Sequence, residues 1–149
     1  MELLYEDQNI KFICIKNDDK YILSMISKKS IDDREMVNIS QIFTTILKTY
    51  KSQNKKWSIL YDIRKSDIPT KRNIDFWVKV FRNLHDTMIS HQNASVVLVH
   101  SQEISDILNN IILLWEPIGE VKFSTDYNSS IEFLKKKNME LKVPVKTKI

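Results

Sequence analysis

Hydrophobic positions along the chain change between a period of two and a period of three to four, and the changes mark the elements. Ile10, Phe12 and Cys14 alternate with Lys11 and Ile13, Asn17-Asp18-Asp19-Lys20 makes a turn, and Tyr21 to Ile26 is a second apolar run. Two such runs across a polar turn predict an N-terminal β-hairpin. Ser30, Asp32 and Asp33 supply a hydroxyl for free amides and acids for the positive end of a helix dipole. Met36, Ile39, Phe43, Ile46, Leu47 and Tyr50 then keep helical spacing, which predicts an amphipathic helix over residues 31–51. After the polar break at 52–56, Trp57 to Tyr61 is apolar on both alternating sets, as a central strand covered on two faces must be.

Pro69 and Thr70 open a second helix whose Ile74, Trp77, Val78, Phe81, Leu84 and Met88 stay in helical register to about Ile89. Ala94 to Val99 reads as another buried strand. Ser101, Gln102 and Glu103 start a third helix with Ile104, Ile107, Leu108, Ile111 and Trp115 on one face, and Pro117 stops it. Gly119 allows the turn into a short strand, Val121-Lys122-Phe123, and Thr125-Asp126 caps a last helix through Ile131, Phe133 and Leu134. The predicted order is β-β-α-β-α-β-α-β-α. Strands joined by helical crossovers run parallel with right-handed connections. The expected fold is therefore α/β, a single domain over residues 1–137 with a mixed sheet, the last three strands parallel and the hairpin attached. A basic tail over 138–149 completes it.

Composition narrows the class. At 149 residues, 42% hydrophobic and 28% charged, the chain is too apolar for disorder and too charged for a membrane protein. Its longest apolar stretch is Ile111 to Trp115, where a spanning helix needs roughly 20 residues. The acidic start, Met1 to Asp7, is unlike a secretory signal, and the lone Cys14 cannot form an internal disulfide, so a reducing, cytoplasmic setting is expected.

Net charge is +4, but from Lys135 onward six lysines face one acid, while the preceding residues hold 17 basic and 18 acidic groups. The body is neutral and the basicity terminal. This favours a solvated helix end over specific nucleic-acid binding, with Lys135 to Lys137 placed where a last helical turn prefers cations.

Chemistry is sparse. One glycine excludes a glycine-rich phosphate loop, a dinucleotide fingerprint and the glycine-flanked nucleophile turn of α/β hydrolases. One cysteine and scattered histidines offer no closed metal site, and the six-residue spacing of His85 and His91 does not put both on one helical face. No metal and no cofactor is expected. Trp57, Trp77 and Trp115 fit inward positions and read as core rather than as a stacking platform for bases. In open α/β sheets the functional crevice lies at the carboxyl ends of parallel strands, which singles out Asp62, His100, Ser101, Ser124 and Thr125. Asp62, His100 and a serine have the composition of a hydrolytic triad, although catalysis is not the expected role.

The element order, the run Ile59-Leu60-Tyr61-Asp62-Ile63, and the ending from Val121 through Asp126 to Leu134 resemble the STAS and SpoIIAA-like superfamily. More narrowly they are similar to the small single-domain members found in Bacteroidetes. The likeness spans residues 5–137. It implies a non-enzymatic role through protein–protein contact, in anti-sigma-antagonist-type signalling, with a phosphorylated serine or threonine between the third strand and its helix. The matching loop is Asp62-Ile63-Arg64-Lys65-Ser66-Asp67-Ile68-Pro69-Thr70, which lacks the family's aspartate-serine-serine-glycine cluster and leaves Ser66 and Thr70 as candidates. A phosphate there would meet backbone amides and Arg64, Lys65, Lys71 or Arg72, whereas Thr70 also fits a plain helix cap. The alternative role is binding of a small apolar ligand or lipid, because members of the related CRAL-TRIO architecture carry hydrophobic ligands and Trp77 and Trp115 would line such a pocket. His100, Ser101 and Ser124 form the candidate crevice, and the hairpin edge is a candidate surface for a homodimer.

Overall fold

The computed structural model describes residues 1–111 and 119–140. Its elements are β1 (Glu2–Glu6), β2 (Ile10–Asn17), β3 (Lys20–Ser27), α1 (Asp33–Ser52), β4 (Lys56–Asp62), α2 (Lys71–Asn83), α3 (His85–His91), β5 (Gln92–Leu98), α4 (Gln102–Ile111), β6 (Glu120–Ser124) and α5 (Tyr127–Met139). The six strands form one sheet in sequence order. β1, β2 and β3 are antiparallel neighbours, whereas β3, β4, β5 and β6 run parallel. The expected mixed α/β domain is therefore present. Its parallel set holds four strands instead of three, because the second hairpin strand pairs directly with β4.

The hairpin closes through Asp18, which adopts φ 56°, a left-handed conformation that aspartate tolerates better than most residues. One strand escaped the sequence reading. β1 is short, mostly exposed and broken in register between Leu3 and Tyr5, so it carries little alternation. Asp7 holds its turn: the carboxylate accepts from the Asn9 and Ile10 amides at 2.7 and 3.0 Å and from the Tyr5 hydroxyl at 2.8 Å. β1 covers the hairpin edge that was the candidate dimer surface. The strand now at the edge is short, bulged and flanked by Glu2 and Glu6, features that discourage further pairing.

Two layers bury the sheet. On one face Phe12, Leu23, Met25, Trp57, Ile59, Tyr61 and Val97 pack with Ile39, Phe43 and Leu47 of α1, Phe81 of α2, Met88 of α3 and Leu108 of α4. On the other, Ile22, Leu60, Ala94, Val96 and Leu98 pack with Ile131 and Leu134 of α5. β4 supplies both layers, as its doubly apolar pattern requires.

Three local details differ from expectation. α1 is capped by Asp32, whose side chain accepts from the Glu35 amide, not by Ser30. The second helix is two helices, because Leu84 leaves helical geometry at φ −97°, ψ 6° and turns α3 toward α1. Leu84 itself is buried, so the stripe of apolar residues continues through the break and hides it from a periodicity test. α5 extends through Met139 with Asn138 fully buried, so the predicted tail boundary falls inside a helix. Trp115, Pro117 and residues 141–149 lie outside the described residues.

Candidate ligand-binding cavity

The carboxyl ends of β3 and β4 feed two loops that run side by side into the amino ends of α1 and α2. Residues 28–32 and 63–70 are tied across the gap: the Asp67 amide donates to Ser30 Oγ at 2.8 Å, and Ser66 Oγ donates to the Lys29 carbonyl at 3.4 Å. Thr70 caps α2 in a reciprocal box, its Oγ1 accepting from the Asn73 amide at 3.2 Å while Asn73 Oδ1 accepts from the Thr70 amide at 3.1 Å. Arg72 of α2 pairs with Asp33 of α1 at 2.8 Å. With side chains 81% and 53% exposed, that pair joins the two helices but contributes little stability.

Beneath these loops and between α1, α2 and the sheet lies a cavity of about 470 Å³. Met36 and Ile39 of α1 form one wall, and Ile74, Trp77 and Phe81 of α2 the other. Met25, Tyr61 and Val97 form the floor, with Leu108 and Phe123 also in the lining. Its rim is polar, with Ser30, Asp33, Ser66, Asp67, Thr70 and Arg72. α2 leaves its side of this space only part-buried. Of that helix only Phe81 is buried, although Ile74, Trp77, Val78 and Val80 form an apolar face that is half-buried.

Aromatic contacts brace the wall. Phe43 meets Tyr61, Trp77 and Phe81 at centroid distances of 6.2, 6.0 and 6.2 Å, and Phe81 meets Tyr61 at 6.0 Å. Tyr61 is 6% exposed; its hydroxyl makes no hydrogen bond among the described residues, yet it is not one of the fully sealed partnerless atoms, which include the Tyr50 hydroxyl. Burial pushes its phenol above the ordinary range, so it stays protonated and able to donate.

Asp62 follows Tyr61 and therefore points to the opposite face of the sheet. Its carboxylate, 4% exposed, accepts from Arg64 Nε at 3.0 Å and Nη2 at 2.8 Å, and from the Arg64 amide at 3.2 Å. Arg64 in turn lies 5.8 Å over the Tyr127 ring of α5, and its hydrogen bond to Asp62 holds the guanidinium pKa above its ordinary value. This fork anchors the start of the 63–70 loop. Ser66 and Thr70 reach the cavity rim without Asp62, so the three loop candidates do not form one cluster.

His100, Ser101 and Ser124 lie at the ends of β5 and β6, and none of them lines the cavity. Ser101 Oγ accepts from the Ile104 amide at 3.4 Å at the start of α4, Ser124 Oγ accepts from the Asp126 amide at 3.1 Å, and His100 is exposed. Among the described residues no hydrogen bond joins Asp62 to His100 or His100 to a serine, and both Asp62 oxygens serve Arg64. His91 stacks on Trp57 at 5.8 Å, and Trp57 Nε1 donates to Gln92 at 3.1 Å, so that tryptophan is core. Trp77 does line the cavity. Among the described residues no group of three potential metal ligands occurs and no helix is long and apolar enough to cross a membrane.

Tyr61 is the residue that sequence reasoning passed over. Its signal was present in the alternation of Trp57, Ile59 and Tyr61, which assigns the tyrosine to the face covered by α1 and α2, at the carboxyl end of a central strand. Asp62, the polar residue next to it at the strand end, carries the more conspicuous sequence signal.

No family model and no curated protein matches the sequence. Among solved structures, the chain is similar to an uncharacterised protein of the DUF3478 family with a SpoIIAA-like fold from Shewanella loihica, at a TM-score of 0.60 and 13% identity over 88% of this chain and 98% of that one. That source gives the narrower Bacteroidetes resemblance no support. At this identity the likeness concerns architecture: the chain has a SpoIIAA-like fold.

Proposed function

We propose that this chain is a non-catalytic binding module whose cavity takes up one small, largely apolar molecule. The observation that carries the reading is the 470 Å³ space between α2 and the sheet, walled by Met36, Ile39, Ile74 and Trp77 and opening through a polar rim. Its volume falls in the range of small-molecule sites, about 300–1,000 Å³, and an apolar lining with a few polar groups is their usual composition. Native mass spectrometry of the recombinant protein and titration with the fluorescent probe N-phenylnaphthylamine test it. One bound probe per chain is expected, with affinity at least tenfold weaker in Ile74→Trp, which fills the space, at unchanged circular dichroism. Absence of probe binding to the parent protein ends the proposal.

A second reading, regulation through contact with a protein partner, is favoured by the 63–70 loop. Ile68 is 49% exposed there, beside Ser66 at the cavity rim. Glutamate at Ser66 should then alter capture of a cellular partner, and identical partner profiles for Ser66→Glu and the parent would remove the phosphorylation switch.

A further inference from the structure

We propose that Tyr61 is a specificity-determining residue, and that the preferred ligand carries a neutral hydrogen-bond acceptor, such as a ketone, ester or amide carbonyl, on the part that lies against the sheet. The inference rests on the ligand-binding reading above and names the chemistry that the site selects. A phenol that lines an apolar cavity and makes no hydrogen bond within the protein keeps its O–H for whatever occupies that cavity. Tyr5 donates to Asp7, and the Tyr50 hydroxyl is sealed in the core without a partner, whereas the Tyr61 hydroxyl makes no hydrogen bond among the described residues, is not sealed, and belongs to a residue on the cavity floor. A phenylalanine would make the same ring contacts with Phe43 and Phe81. The hydroxyl therefore adds nothing to the packing of the wall.

Charge decides what kind of acceptor it meets. Arg72 is the cation in the lining, and it lies at the rim, paired with Asp33. A carboxylate on the ligand's inner end would be buried without a cation, and one at the rim would face Asp33 and Asp67. A neutral carbonyl accepts from the phenol at no such cost.

Three matched probes, competing with N-phenylnaphthylamine, test the assignment: acetylnaphthalene, isopropylnaphthalene and naphthoate. The ketone should bind the parent protein about fivefold more tightly than the hydrocarbon of nearly the same shape, the worth of one net hydrogen bond. In Tyr61→Phe that ratio should fall to about one, while hydrocarbon affinity and melting temperature are maintained. Equal affinities in the parent, a ratio that survives the substitution, or naphthoate binding most tightly would each overturn the selectivity. Hydrocarbon binding without ketone preference leaves the ligand-binding reading standing and removes this inference alone. If neither the dye nor any naphthalene binds, both fall.

Discussion

Replacing Asn138 by alanine removes one side chain that joins three strands to a helix. Asn138 is 0% exposed in the last turn of α5. Its Oδ1 accepts from Ser58 Oγ of β4 at 2.7 Å and from Asn93 Nδ2 of β5 at 3.0 Å, and its Nδ2 donates to the Tyr21 carbonyl of β3 at 3.3 Å. Ser58 is itself 0% exposed, with this bond as its hydroxyl's only hydrogen bond among the described residues, so alanine leaves it orphaned at a cost of about 1–3 kcal/mol. The Tyr21 and Asn93 groups are partly accessible and recover some solvation, so each adds about 0.5–1 kcal/mol. The expected loss is about 3 kcal/mol, equivalent to a fall in melting temperature of roughly 6–12 °C for a chain of this size. Urea unfolding followed by circular dichroism measures it, with the denaturant slope unchanged. Ser58→Ala should cost less in the Asn138→Ala background than in the parent, by about 1 kcal/mol, since the two share a bond. A loss under about 0.5 kcal/mol for Asn138→Ala, or strict additivity of the pair, would refute the reasoning.

Gly119 precedes β6 at φ 73°, and a Cβ there would stand 2.7 Å from the Asn93 carbonyl oxygen. Gly119→Ala should therefore destabilise by about 2 kcal/mol through backbone conformation and collision together, and parental stability in the same unfolding assay would contradict it. Asp7 offers a pH test. Burial pushes its carboxyl up, but the Asn9 amide, the Tyr5 hydroxyl and the Ile10 amide outweigh it, so the folded value lies below the ordinary 3.8. The stabilisation is thus present above that value and lost as pH falls through the folded one. Asp7→Asn should be less stable at neutral pH and lose less stability on acidification; an acid limb parallel to the parent's would refute the assignment.

Much of the fold was legible because burial on the sheet writes itself into period and run length. β4 reads as central because Trp57, Ile59 and Tyr61 serve one layer while Leu60 serves the other, and the α1 stripe from Met36 to Tyr50 matches the face that packs. β1 was not legible, since an exposed five-residue edge strand needs little apolar alternation. The break at Leu84 was hidden because a buried residue at the bend preserves the spacing on both sides. Asn138 was equally hidden. A polar residue after three lysines looks solvated unless the strand ends beneath it are known.

The cavity itself is a tertiary property of α2. Ile74, Trp77 and Phe81 have the spacing of a helix that buries its apolar face, and that pattern is the same whether the helix lies flat on a sheet or stands off it. What separates the cases is the packing around α2, where the 63–70 loop is tied to the 28–32 loop and the Phe43, Trp77 and Phe81 rings meet one another. Of the two neighbours at the end of β4, Asp62 closes on Arg64 and fastens the loop, while Tyr61 lies on the cavity floor with its hydroxyl unspent. The acid at the strand end fastens the loop, and in the proposed reading the tyrosine beside it donates to the ligand. The two roles are separable: loosening the fork with Asp62→Asn should weaken ketone and hydrocarbon probes alike, whereas Tyr61→Phe should weaken the ketone alone.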